Sequence, residues 1–260
     1  MSQSVNSGAR ILVLDFGSQV TMLIARRVRE QYVYCEIWPY DRDIEDIKAF
    51  APDGVILSGG PASVHEEGSY RPHPGVFDLG VPVLGICYGL QVMSAMLGGS
   101  VVAGRIREFG PAHIRIDQSV GPLAGFEAGS VQPVWMSHGD RIEQLPEGFE
   151  VLATTQDDVL AAAADTERRL YGLQFHPEVV HTPGGRDIIA AFVHDICGCE
   201  ADWTMKAFVD IEVARIRQQV GESGRVLCGL SGGVDSSVVA AILHLAIGDR
   251  LSCVFIDNGL

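Results

Sequence analysis

The stretch Val83-Leu84-Gly85-Ile86-Cys87-Tyr88-Gly89-Leu90-Gln91 runs from a short apolar segment into a helical pattern through a cysteine with a glycine two positions to either side. Val81 to Ile86 reads as a buried strand and Tyr88 to Leu97 as a helix, so Cys87 stands on the sharp turn between them. This is the steric pattern of a nucleophile elbow, in which small residues let the neighbouring backbone approach closely. The helix that follows aims its positive end at the sulfur, and the N–H of Tyr88 is an oxyanion donor. A buried structural cysteine is the competing reading of the same residues.

Working outward, Ile11 to Leu14 and Gly54 to Leu57 are further strand-like runs, and Ser18 to Glu30 is a helical pattern. The alternation predicts an α/β domain with a mostly parallel open sheet flanked by helices. Val20, Leu23, Ile24 and Val28 fall on one face of that first helix. Ser18 is placed to cap it, and Arg26, Arg27 and Arg29 form a solvated face. From Val101 to Gln174 short β-like runs separated by Gly, Pro and Asp predict further, partly antiparallel strands (113–116, 131–136, 150–155, 160–164 and 169–175). A helix over 187–197 closes the unit, and residues 198–202 read as a linker.

Beyond the linker, Thr204 can cap a helix carrying Val209, Val213, Ile216 and Val220 on one stripe. Residues 225–230, 234–247 and 251–256 then read as strand, helix and strand, a right-handed parallel βαβ unit. Between its first strand and helix lies Ser231-Gly232-Gly233-Val234-Asp235-Ser236-Ser237. Without a following Gly-Lys-Ser/Thr it is not a Walker A loop. Its glycines, serines and helix N-terminus nevertheless suit pyrophosphate oxygens, with a generic Gly-Ser turn as the rival reading.

A cysteine nucleophile needs a base, and Gln174-Phe175-His176-Pro177-Glu178 offers an imidazole and a carboxylate at the end of an apolar strand. His181 is a rival base. Leu57-Ser58-Gly59-Gly60-Pro61 ends a strand in unhindered backbone N–H groups, either a plain turn or an oxyanion donor at Gly59 or Gly60. Trp135 to Asp140 reads as another turn.

Nineteen basic against thirty-three acidic residues give a net charge of -14, which opposes binding to nucleic acid or anionic membrane. The start of the chain has no signal-peptide pattern, and no apolar run approaches the roughly 20 residues of a membrane span. The expected location is therefore the cytoplasm. Cys35, Cys87, Cys197, Cys199, Cys228 and Cys253 include no CxxC pair and no His at zinc spacing, so neither a metal site nor a disulfide framework is expected.

Ser58 to Pro61, Gly85 to Gln91, Met136 to Asp140 and Gln174 to Glu178 stand in the order and approximate spacing of the class I glutamine amidotransferases, which the chain resembles. Leu14 to Gln19, Arg107 to Gly110 and His176 to Thr182 resemble in particular the glutamine-hydrolysing GMP synthetases. That resemblance implies a glutaminase domain over 10–202 with a triad of Cys87, His176 and Glu178. It implies oxyanion donors at Gly60 (or Gly59) and Tyr88, and glutamine contacts at Gln91, Ser137, His138, Gly139 and Asp140. The Ser231 to Ser237 loop resembles that of the N-type ATP pyrophosphatases. This implies that residues 203–260 open an adenine-nucleotide α-hydrolase-like synthetase domain, with ATP held at Ser231, Gly232, Gly233, Val234, Asp235, Ser236 and Ser237.

In that family magnesium accompanies ATP, the glutaminase needs no cofactor, and ammonia from glutamine aminates XMP. Asp257 matches a further motif and is expected near the nucleotide. The remaining synthetase strands, most XMP contacts and a C-terminal homodimerisation domain would lie beyond Leu260, so the chain by itself is expected to lack XMP amination. A non-catalytic module on the same fold and a glutaminase serving another synthase, such as one making CTP or anthranilate, are the alternatives.

Overall fold

The computed structural model describes residues 8–66 and 68–255, and the side chains of all of these except 105–107, 205 and 207. Asp257 lies outside the described residues. The chain divides into two compact units, one over Gly8–Asp202 and the other, among the described residues, over Trp203–Phe255.

In the first unit β1 (Arg10–Asp15), α1 (Thr21–Arg29), β2 (Tyr34–Pro39), α2 (Ile44–Phe50), β3 (Gly54–Leu57), β4 (Val83–Ile86) and α3 (Tyr88–Met96) alternate. They are followed by β5 (Ser100–Ile116), β6 (Val131–Gln144), β7 (Glu150–Thr155), β8 (Leu160–Asp165), β9 (Leu170–Leu173) and α4 (Gly185–Ala190). The strands form one sheet in the order β2-β1-β3-β4-β9-β8-β7-β5-β6. The pairs from β2 to β9 are parallel. Those from β9 to β6 are antiparallel.

Successive residues of the parallel strands feed opposite faces, and both faces are covered. Ile11 and Val13 pack with Ile24, Val28, Leu84 and Phe192. Leu12 and Leu14 pack with Leu57, Val83, Leu90 and Met93 on the other face. Because β4 lies deep between β3 and β9, the turn at its end opens at the carboxyl edge of the sheet.

Several local expectations are corrected. The first helix begins at Thr21 with Val20 at the cap position; the Ser18 hydroxyl accepts from the Val20 N–H at 3.2 Å in a local turn and caps nothing. The arginines of α1 are not simply solvated: Arg27 and Arg29 donate to the carbonyls of Glu178 (3.0 Å) and Cys35 (3.1 Å). β2 and α2 had no counterpart among the expected elements. β2 is a half-buried edge strand, and α2 is a seven-residue helix capped by Asp43 through the Glu45 N–H at 2.8 Å. Trp135 to Asp140 is not a turn but the middle of β6, because β5 supplies a backbone partner. The closing helix starts at Gly185, and from Ala191 to Ile196 it widens to a π-helix while keeping Ile188, Ile189, Phe192 and Val193 buried.

In the second unit α5 (Met205–Val220), β10 (Val226–Leu230), α6 (Val234–Ile247) and β11 (Leu251–Phe255) follow in order. Thr204 stands just before α5, its carbonyl accepting from the Phe208 N–H at 2.9 Å. β10 and β11 are parallel neighbours, Val226 opposite Leu251, with α6 between them in sequence as expected. No helix among the described residues is long and apolar enough to cross a membrane.

Candidate active site

Cys87 holds φ 53° and ψ −106°, a backbone conformation that L side chains rarely adopt and that costs about 1–3 kcal/mol. One tertiary bond and the first turn of α3 hold it there: its N–H donates to the Leu173 carbonyl at 2.7 Å, and its own carbonyl accepts from Leu90 (3.1 Å) and Gln91 (3.2 Å). The flanking glycines are required by close approach. A Cβ on Gly85 would stand 2.6 Å from the Leu90 nitrogen, and one on Gly89 would overlap the Leu57 carbonyl. The sulfur is buried, lies 3.4 Å from the Ser137 carbonyl and accepts from the Gln174 amide at 3.8 Å.

His176 reaches the same sulfur from the end of β9. Its Nδ1 is 2.7 Å from Oε1 of Glu178, and both residues are buried. Burial, the largest influence on the ring, opposes its charging. Hydrogen bonds to Cys87 and Glu178, with the charges of both, outweigh burial and push the His176 pKa up to about 10.

The surrounding backbone is tied down. The Thr182 hydroxyl donates to the His176 carbonyl (2.7 Å) and accepts from the Trp135 N–H (3.1 Å). The His176 N–H donates to the Trp135 carbonyl (3.0 Å). Arg27, from α1, holds the Glu178 carbonyl. The rival His181 is exposed and packs on the Trp135 ring, with centroids 4.4 Å apart. The fold thus brings His176, and not His181, to the cysteine.

Two cavities meet at Cys87. One, of about 390 Å³, is lined by Gly60, Tyr88, Gln91 and Ser137 to Asp140. The other, of about 350 Å³, opens beside His176, Trp135 and Gln19; Gly60, Pro61 and Ser137 border both. Ser58 fixes the glycine loop by accepting from the Phe16 N–H (3.0 Å) and donating to the Gly59 carbonyl (2.8 Å). Gly59 lies against the imidazole, where a Cβ would stand 3.1 Å from Cε1 of His176. Among the described residues, the N–H groups of Gly60 and Tyr88 have no protein acceptor. The Gln91 amide donates to the Asp140 carbonyl (3.0 Å), and the Ser63 hydroxyl donates to the Asp140 carboxylate (2.5 Å).

Residues 12–196 match the family model of the class-I glutamine amidotransferases. The chain belongs to that family. Residues 208–256 of this amidotransferase match the NAD synthase model. It is 59% identical over 254 residues to the GMP synthase [glutamine-hydrolyzing] of Acinetobacter baylyi, covering 96% of this chain and 46% of that protein. It is 58% identical over 257 residues to the enzyme of the same name from Ectopseudomonas mendocina, covering 96% and 49%. The amidotransferase chain therefore spans about half the length of the curated relatives it matches. Among solved structures, a protein of Thermoplasma acidophilum taken to be one of the subunits of a GMP synthase is 34% identical with a TM-score of 0.67, covering 74% of this chain and 96% of that one. A glutamine amidotransferase of Thermotoga maritima shares the fold at a TM-score of 0.57 and 19% identity.

Gln174, Thr182, Ser63 and Arg27 hold this candidate site together and were not singled out from sequence. Gln174 and Thr182 lie within quoted motifs, but Arg27 is 151 positions from Glu178 and carried no local signal. In the second unit the loop Ser231 to Ser237 closes on itself. The hydroxyls of Ser236 and Ser237 donate to the Gly233 carbonyl at 3.0 and 2.9 Å, Ser236 accepts from the Ser231 N–H at 3.3 Å, and Gly232 takes φ 80°.

Proposed function

We propose that this chain hydrolyses glutamine to glutamate and ammonia at Cys87, and that the ammonia is destined for the ATP-dependent amination of XMP to GMP. The observation that carries the glutaminase reading is the continuous line from the strained Cys87 through His176 to the buried Glu178, with an open cavity at the sulfur. The sulfur, its proton passed to His176, attacks the side-chain amide carbon of glutamine. The oxyanion is met by the N–H groups of Tyr88 and of Gly60 or Gly59. His176 then gives its proton to the departing nitrogen, ammonia leaves, and a glutamyl thioester remains on Cys87. Water, deprotonated by His176, attacks the thioester, releases glutamate and restores the thiol. Glu178 keeps the ring oriented throughout. Gln91 and Ser137 to Asp140 form the cavity wall that takes the amino-acid end of glutamine.

The destination of the ammonia is supported by the names of the half-matched relatives and by the match of residues 208–256 to the NAD synthase family. In this reading ATP phosphates lie on Ser231 to Ser237 at the N-terminus of α6. Magnesium, which is commonly held by one or two carboxylates together with substrate phosphates, would take Asp235 and would neutralise phosphate charge there. The Asp235 carboxylate, exposed in the first turn of α6, fits that donor set.

Release of ammonia and glutamate from glutamine by the purified chain tests the first step. Cys87→Ala is expected to abolish it, and undiminished turnover would overturn the reading. Glutamine labelled with ¹⁵N at the side-chain amide, supplied with ATP, magnesium and XMP to the protein that contains this chain, tests the destination by the appearance of label in the GMP amino group.

A further inference from the structure

Glu108 and His138 face each other across the antiparallel pair β5–β6 at the point where that ladder is broken. Pairing runs as far as Ala103–Asp140, sets residues 104–107 of β5 against Gly139 alone, and resumes at Glu108–His138. The larger cavity at Cys87 is built on the break: Ala103, Gly104 and Phe109 line it from β5, and Ser137 to Asp140 from β6. Whatever fixes the resumed pair therefore fixes the wall on which the Ser137 carbonyl meets the sulfur.

The His138 ring is buried with oxygen on both sides. Nδ1 is 3.0 Å from the Asp140 carbonyl, which can only accept, so a neutral ring carries its proton there. Nε2 then turns its lone pair toward Oε2 of Glu108 at 3.1 Å. That approach is off the line of a hydrogen bond, and among the described residues neither atom has another partner. Burial, the largest influence, holds the ring below the ordinary histidine range. The Glu108 carboxylate and the Asp140 carbonyl pull it upward, while the charge of His176 pushes it down.

Two buried polar atoms left in this state cost free energy that an apolar cross-strand pair would not. Holding a β-ladder needs only the latter. The polar pair has a further connection, because the Asp140 carbonyl that receives His138 also receives the Gln91 amide. Glu108 is thus linked through His138 and Asp140 to the floor of the cavity.

We infer that Glu108 is a positioning residue for the glutamine pocket: acting through His138, it sets the Ser137–Asp140 wall, and its removal weakens capture of glutamine. The inference rests on the proposed glutaminase reading of that cavity. The test is alkylation of Cys87 by iodoacetamide in the full chain, followed by mass spectrometry of the Cys87 peptide, with glutamine as protecting ligand.

Glutamine protects the wild type, and Glu108→Ala raises the half-protecting concentration roughly tenfold, as the His138 ring and the wall it holds are freed to shift. Should Glu108→Ala fail to fold, His138→Asn carries the same expectation. Glu108→Gln, whose amide can donate to Nε2, returns protection to within about threefold of wild type. In Glu108→Ala/His138→Asn the loss is no larger than in either single variant, as for residues acting in series. Glu143→Ala, exposed on the same strand β6, leaves protection unchanged.

Wild-type protection in Glu108→Ala, absence of rescue by Glu108→Gln, or losses that multiply in the double variant would overturn the inference alone. A wild-type chain that glutamine does not protect would overturn the glutaminase reading, and this inference with it.

Discussion

The turn at Cys87 and the loop at Ser231 to Ser237 are built alike, each a short parallel strand, a glycine-bearing turn and a helix, yet they stand in opposite surroundings. β4 has a neighbour on each side, and all residues of α3 from Tyr88 to Ser94 are buried. β10 pairs with β11, and α6 leaves Val234, Val238, Val239 and Leu245 exposed, Val234 at 78%. The first turn holds a strained cysteine because packing on both sides over-determines its backbone. The second satisfies its polar groups with its own serines. A strand–turn–helix thus supplies a position for chemistry, and neighbouring chain decides what else is brought there.

The contrast yields tests in decreasing order of effect. Cys87→Ala is expected to lower ammonia release from glutamine by at least about 1,000-fold, whereas Val239→Ser on α6 leaves it within about twofold. Equal losses would erase the distinction between the two helices.

Glu178→Gln is expected to cost roughly 100-fold in glutamine hydrolysis and to bring the His176 pKa down from about 10 toward its ordinary value, read by NMR titration of the ring. Because the folded-state value is raised, the charged ring stabilises the fold fully below about pH 6.5, and this is lost as pH rises through about 10. The stability gap between wild type and Glu178→Gln, from denaturant unfolding at a series of pH values, should therefore narrow across that window. A gap that widens with pH would contradict the assigned ion pair.

Gly89→Ala, driven into the Leu57 carbonyl, should destabilise the first unit by about 3 kcal/mol, whereas Gly233→Ala should stay within about 0.5 kcal/mol by the same unfolding measurement. Val92→Ser in buried α3 should cost about 2 kcal/mol against about 0.5 kcal/mol or less for Val239→Ser, half exposed on α6. Similar costs at the two sites would mean that α6 is packed as tightly as α3.

Local signals carried much of the fold. The apolar rhythm of 11–14, 54–57 and 81–86 marked the central strands, because a strand buried on both faces reads as a continuous apolar run. The bounds 234–247 of α6 were legible because glycines stand at both ends. What stayed hidden depended on partners far away in sequence. Ser137 to Asp140 looks like a turn until β5 is laid beside it, and Arg27 looks solvated until Glu178 is brought to it. Ser18 looks like a cap until Val20 takes that position.

The sequence by itself determined the residue types that could carry the chemistry and the glycines that let Cys87 sit on a turn, since sterics within a few residues and the period of the apolar pattern are local properties. His176 and His181 were told apart in the sequence only by resemblance; the tertiary structure put His176 at the sulfur, laid Gly59 against its ring and Gly60 along the cavities at Cys87, and set Glu108 against His138. Those relations are distances between segments tens of residues apart. Sheet order and strand register fix such distances, and the free energy that sets them comes from burying the two faces of the sheet rather than from any one motif.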